Sequence, residues 1–199
     1  VREAIVEALG EIDDPSAVTA VAAVTTDSSV GVRRAGASAL KEFDDPTALP
    51  ALLGMARDSD AEVRRSVAEG LSDLESPQTL DVLIALSRDS DAEVRASAVD
   101  GLGNLEDRRT LDALLAALRD ADPDVRSEAA DAIHNIPDLD KAPPQLIALL
   151  ADSDADVRQN VAHALGSFED EAAVPALKRA LSDTNADVRR AVAESLSEI

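Results

Sequence analysis

Cysteine, tryptophan and tyrosine are absent from this chain, and its only aromatic rings are Phe43 and Phe168. Without cysteine there is no disulfide, no thiol nucleophile and no thiolate metal site, and the redox compartment stays undetermined. Without large rings, a compact globule of 199 residues lacks the anchors that usually fill its centre. Ala, Val and Leu in a chain that is 45% hydrophobic suit thin layers of closely packed helices instead. No run of about 18 apolar residues occurs, so the sequence predicts no membrane-spanning helix. No signal-peptide pattern opens the chain, which starts at Val1 rather than Met, and the reading is a cytoplasmic protein.

Positive charge is scarce as well. Forty acidic residues face 19 basic ones, a formal net charge of -21. Such a chain repels phosphate backbones and anionic lipid, which argues against nucleic acid and membranes as partners. The acids are mostly Asp, and Lys occurs only at positions 41, 141 and 178. That balance fits a salt-accumulating halophile, where screening removes self-repulsion. A GC-rich genome would give the same bias, and the halophile reading is the one preferred.

What the chain does have is a repeat. The dipeptide Val-Arg occurs at Val1, Val32, Val63, Val94, Val125, Val157 and Val188, spaced by 31 residues except for one step of 32. The extra residue falls in the Pro137–Pro144 stretch. Eight residues after each Val stand Leu9, Leu40, Leu71, Leu102, Ile133, Leu165 and Leu196. Eleven after it stand Ile12, Phe43, Leu74, Leu105, Ile136, Phe168 and Ile199. With small or apolar residues at the fourth position, spacings of 0, 4, 8 and 11 trace one stripe along a helix, here called helix B.

The other half of each repeat predicts a second helix, A, with stripes such as Leu49, Leu52, Leu53 and Met55, then Leu80, Leu83, Ile84 and Leu86. Asp14-Pro15, Asp45-Pro46 and Ser76-Pro77 each place a capping oxygen before a proline, the arrangement for N-cap and first helical position. Asp60, Asp91, Asp122 and Asp154 occupy the equivalent cap of helix B. The expected organisation is an orphan helix over 1–12 and six helix pairs over 13–43, 44–74, 75–105, 106–136, 137–168 and 169–199. One pair buries too little apolar surface to offset its own ordering, so the array is expected to form a single stacked domain over 1–199.

The motif D-x-D-x-x-V-R-x-x-A-x-x-x-L runs from Asp58 through Asp60, Val63-Arg64 and Val67-Ala68 to Leu71. It resembles the HEAT-repeat superfamily, specifically the short phycobilisome-lyase-like class, over essentially the whole chain. The resemblance implies an all-α, right-handed α-solenoid of antiparallel helix pairs. It also implies a hydrogen-bonded ladder between neighbouring repeats, made by the Arg of each Val-Arg pair with Asp27, Asp58, Asp89, Asp120, Asp152 and Asp183. Those Arg and Asp columns are therefore read as structural.

Candidate chemistry is thin. The Asp-Ser-Asp loops lack the glycine and distal bidentate Glu of a calcium loop, and capping accounts for them. His134 and His163 with Asp131 would make a zinc site short of a strong ligand, and solvated polar residues are the reading preferred. The iron-binding HEAT-type hydroxylases carry His-Glu dipeptides, whereas His134 precedes Asn135 and His163 precedes Ala164. The helical-repeat DNA glycosylases use Trp and Tyr in a cationic groove. Neither enzyme pattern is present, and no catalytic residue, metal or cofactor is assigned.

Helical angles place offsets 2, 6, 9 and 13 after each Val opposite the apolar stripe, and the family implies that B helices line the concave side. The candidate binding residues are Arg34, Arg65, Glu69, Asp100, Asp131, His134, His163 and Glu194. The stretch from Asp100 to Asp131 reads as acidic without basic relief. The function expected is a non-catalytic scaffold that holds a basic or polar protein segment, the chain being a monomer or part of a longer one. The alternative, by family analogy alone, is a bilin-lyase-like or chromophore-handling accessory protein.

Overall fold

The computed structural model describes residues 1–12, 14–43, 45–74 and 76–199. Every regular element among them is helical. In chain order these are α1 (Arg2–Gly10), α2 (Pro15–Ala22), α3 (Val30–Glu42), α4 (Leu49–Met55), α5 (Ala61–Leu71), α6 (Pro77–Leu86) and α7 (Ala92–Asn104). They continue as α8 (Leu111–Ala117), α9 (Pro123–Ile133), α10 (Pro144–Ala148), α11 (Ala155–Ser167), α12 (Val174–Ala180) and α13 (Ala186–Glu198). Odd-numbered helices are the B helices and even-numbered ones the A helices. The repeat boundaries expected at Asp13, Asp44 and Glu75 lie outside the described residues. Two compact units emerge, Val1–Gly101 and Leu102–Ile199, the division falling inside α7.

The capping side chains explain where the helices start. Asp14 accepts from Ser16 N–H, Asp45 from Thr47 N–H and Ser76 from Thr79 N–H, at 2.8, 2.8 and 3.0 Å. On the B helices, Asp60 accepts from Val63 N–H, Asp91 from Glu93 and Val94, and Asp154 from Asp156 and Val157. Each carboxylate satisfies an orphaned amide and sits at the positive end of the helix dipole.

The Val and Leu columns form the core. In the first unit Val32, Leu40, Val63, Leu71 and Val94 are buried, with Leu52, Met55, Leu80 and Leu83 facing them from the A helices. In the second, Val125, Ile133, Val157, Leu165 and Val188 are buried with Leu114, Leu146 and Leu177. The fourth-position column is buried too at Val67, Ala98, Ala129, Val161 and Val192, whereas Ile5 on α1 is 55% exposed.

The eleventh-position column is not helical as expected. Every B helix ends before it, because the chain turns with i→i+3 bonds such as Leu74 N–H to Leu71 O and Ile136 N–H to Ile133 O. The turn still folds Leu74 and Ile136 back onto the core.

Small residues at the seventh position form the seam between successive B helices. Ala39, Gly70 and Gly101 in the first unit are buried, as are Ala132, Ala164 and Ser195 in the second. A Cβ built at Gly70 would lie 2.8 Å from Lys41 Cβ and 2.9 Å from its Cα. One built at Gly103 would lie 2.7 Å from Ala132 Cβ. The Ser195 hydroxyl, buried in this seam, donates to the Ala162 carbonyl at 2.6 Å. Helices meet here nearly backbone to backbone, which is why the chain can do without large rings.

Candidate functional site

The charged columns divide into those spent inside the chain and those that face outward. The Asp five before the Val and the Arg of the preceding repeat are spent at the rungs described next, whereas Arg189, among the described residues, donates to the Asp183 and Thr184 carbonyls alone. Arg33 binds both oxygens of Asp58 through Nε and Nη2 at 2.6 and 2.9 Å, and Arg64 binds Asp89 at 2.7 and 2.8 Å. In the second unit Arg126 holds Asp152, both bonds 2.8 Å, and Arg158 holds Asp183 at 2.7 and 2.9 Å. Arg2 makes a single, more exposed contact with Asp27 at 3.2 Å. Each of these Asp residues also accepts a backbone N–H two residues on, so it caps its own loop while receiving the Arg.

The pairing holds the carboxyls of Asp58, Asp89, Asp152 and Asp183 below their ordinary range, against the upward push of burial. For Asp58, Asp89 and Asp183 the largest cause is the hydrogen bond from Arg33, Arg64 and Arg158 respectively. For Asp152 the largest influence is burial, which pushes upward, but the bond and charge of Arg126, the Asp154 N–H and the Ser153 hydroxyl bring it down on balance. A carboxyl whose folded value is depressed adds stability above its unfolded value, near 4, and loses it as pH falls through the folded value. The melting temperature is therefore expected to fall steeply below about pH 4. A variant carrying Asp58→Asn and Asp89→Asn should lose part of that acid-side dependence, which a pair of thermal melts from pH 7 to pH 2 would show. Equal slopes in the two proteins would contradict it.

The outward column six residues after each Val behaves differently. Asp100 on α7, Asp131 on α9, His163 on α11 and Glu194 on α13 are exposed, and Glu69 on α5 is half-buried. The structure pairs many of the candidate residues within the chain. In the first unit Arg34 is locked bidentately on Asp60 at 2.8 and 2.7 Å. Glu69 accepts from Lys41 Nζ at 2.6 Å and lies 3.5 Å from Arg65, which also bonds Glu62. Arg65 Nε is buried without a hydrogen bond, 3.9 Å from Glu93. Asp100 is exposed but not without a partner. On this unit the cations of the B face are matched by their own acids.

On the second unit the pairing is looser. His163 Nε2 lies 3.7 Å from Glu194 Oε2, across from α11 to α13. Asn160 donates to Ser127 Oγ at 2.6 Å between α11 and α9, a contact that offsets 2 and 3 could have signalled. Asp131 and His134 are both exposed. Among the described residues no group of three or more His, Cys, Asp or Glu side chains comes together to hold a metal. No described helix is long and apolar enough to cross a membrane.

Two of the four columns expected on this face are corrected. The ninth position lies against the seam, where Gly103 and Gly166 are buried under Ala132 and Ser195. His134 is exposed at that position because it ends its helix. The thirteenth position is not on helix B at all, since Asp14, Asp45, Ser76, Asp107 and Asp170 there cap the next A segment.

The model for HEAT repeats matches residues 20–96, 80–156 and 143–199, and that for the PBS lyase HEAT-like repeat matches residues 1–27. This chain belongs to the HEAT-repeat family. No curated protein matches this HEAT-repeat chain. Among solved structures, the Escherichia coli protein YIBA_ECOLI is 20% identical, with a TM-score of 0.73 over 98% of this chain and 73% of that one. An engineered protein is 18% identical with a TM-score of 0.66, covering 91% of this chain and 97% of its own. A designed armadillo repeat protein, in complex with peptide (KR)4, is 18% identical with a TM-score of 0.63, over 91% of this chain and 98% of that one. These likenesses give the HEAT-repeat chain the fold of an all-α repeat solenoid.

Proposed function

We propose that this HEAT-repeat protein is a non-catalytic, cytoplasmic scaffold that binds a basic or polar protein segment along the outward face of its B helices. The observation that carries this reading is the contrast between columns. The ladder and cap columns keep one chemistry and are largely spent inside the chain, while the sixth-position column varies and is exposed at Asp100, Asp131, His163 and Glu194. A net charge of -21 favours encounter with a cationic segment. The designed armadillo neighbour in complex with (KR)4 supports the same chemistry of partner.

Within the candidate residues the second unit is the better receptor. Arg34, Arg65 and Glu69 are held in ion pairs of their own, so a partner gains little by replacing them. Asp131 on α9, His134 just past its end, His163 on α11 and Glu194 on α13 offer exposed polar groups. With no Trp or Tyr to serve as anchors, binding is expected to be modest and salt-sensitive. Calorimetric titration with a Lys-Arg octapeptide tests this. Asp131→Lys with Glu194→Lys should weaken the peptide's Kd by about tenfold or more, a change of about 1.4 kcal/mol. The same Kd in both proteins would remove the face from consideration.

A further inference from the structure

Charge is unevenly shared between the two kinds of helix. Six A segments in one register, 15–26, 46–57, 77–88, 108–119, 140–151 and 171–182, hold eight of the 19 bases but only four of the 40 acids. The negative charge of the chain is therefore carried by its B helices and loops, and the A segments are net positive. Elsewhere many cations are consumed in ion pairs, as Arg33, Arg64, Arg126 and Arg158 are. On α12 Lys178 and Arg179 are exposed, and among the described residues neither side chain has a hydrogen bond or ion pair.

Arg179 lines an open groove of about 470 Å³ between α12 and α10 with the turn Leu149–Ala151 that follows it. The apolar lining includes Ile147, Leu150, Ala151, Ala176 and Ala180. Register explains the furrow. Six residues before the Val of each Val-Arg pair, earlier repeats carry Arg57, Arg88 and Arg119, whereas Ala151 and Ser182 stand at that position here. An Arg returns three residues earlier, at 179, where preceding repeats have Ala23, Gly54, Ala85, Ala116 and Ala148. A long side chain is thus missing from the groove, and a guanidinium is set beside it. Asp183 also lines the groove, but Arg158 takes both its oxygens at 2.7 and 2.9 Å, and one of them also accepts Asn185 N–H. The one uncommitted charge among the lining residues is positive.

We propose that the α10–α12 groove is a second interaction surface, which takes an acidic peptide segment from a partner protein. An apolar side chain of that segment enters the groove while a neighbouring carboxylate receives the Arg179 fork. Charge complementarity selects this occupant, because a planar guanidinium without a carboxylate of its own is matched to one bidentately. Burial of the apolar side chain supplies affinity that works against the long-range repulsion of a chain with net charge -21, which salt screens. A phosphate backbone fits poorly, since its binding rests on neutralising many phosphates and the groove is mostly apolar. This surface lies on the A helices, and the proposal does not depend on the B-helix face.

The test is fluorescence anisotropy of a fluorescein-labelled octapeptide of alternating Glu and Leu, at about 0.15 M salt. Saturable binding is expected, and Arg179→Gln should weaken Kd by about tenfold. Ala151→Arg is the second variant. It installs the residue that three other repeats carry at this register, so the fold should tolerate it, and it fills the groove while adding a positive charge. It should weaken binding by a similar factor, whereas attraction by charge alone would tighten it. Arg88→Gln, on the first unit, should leave Kd within about twofold. An octapeptide of alternating Glu and Ser should bind about tenfold more weakly than the Glu-Leu peptide. No saturable binding, an unchanged Kd in Arg179→Gln, tighter binding in Ala151→Arg or equal binding of the Glu-Ser peptide would overturn the proposal. So would a preference for a single-stranded DNA octamer, or self-association of the chain that Ala151→Arg abolishes, since these would give the groove to nucleic acid or to a second copy.

Discussion

Replacing Arg64 by Met is expected to lower the unfolding free energy by about 3–5 kcal/mol, more than any surface charge change in this chain. Asp89 would keep its bond from Asp91 N–H but lose both bonds from the guanidinium in a site that is mostly shielded from water. The methionine also leaves the Asp58 carbonyl without its donor. Changing Asp89 to Asn in the same protein should recover part of the loss, because the uncompensated charge is then removed. Denaturant unfolding of the two variants and the parent checks this. A loss below about 1 kcal/mol would mean that the rung is no stronger than an ordinary surface pair.

Replacing Gly70 by Leu should cost about 3 kcal/mol, near the top of the range for overpacking. Its Cβ alone would fall within 3 Å of both Lys41 Cβ and Lys41 Cα, and Lys41 Cα belongs to the backbone of α3 and cannot swing aside. The gain in helix propensity from removing a glycine in the last turn of α5, at most about 1 kcal/mol, offsets only part of this. Gly54, with nothing within 4 Å of its built Cβ, is the control. Gly54→Ala on α4 should raise the melting temperature slightly. Equal effects at the two sites would remove the close B–B seam from the account.

The architecture was largely legible. The Val and Leu columns carry large side chains at helical spacing, and Asp-Pro and Ser-Pro mark helix starts by their own chemistry. The ladder followed from a motif resemblance rather than from spacing, since nothing in one repeat says which carboxylate an Arg will reach. The seam was not legible. Ala39, Gly70, Ala132 and Ser195 look like ordinary helix filler, and they acquire meaning only when a second helix stands against them. The outward face was half legible. Extending helix B to the thirteenth position conflicted with the caps at Asp14, Asp45 and Ser76, which already mark the next A segment. The internal pairing of Arg34 with Asp60 and of Lys41 with Glu69 spans 26 and 28 residues, beyond what one repeat discloses.

The division between columns that hold the array together and columns that meet a partner is the central claim. Its most direct measurement is a pair of quantities, Tm and Kd for a Lys-Arg octapeptide, taken on the parent, on Arg64→Met and on Asp131→Lys with Glu194→Lys. The account predicts that Arg64→Met lowers Tm and, below its melting transition, leaves Kd within about twofold. It predicts that the double charge reversal weakens Kd by about tenfold while Tm stays close to that of the parent. A double reversal that lowers Tm and leaves Kd untouched would contradict it.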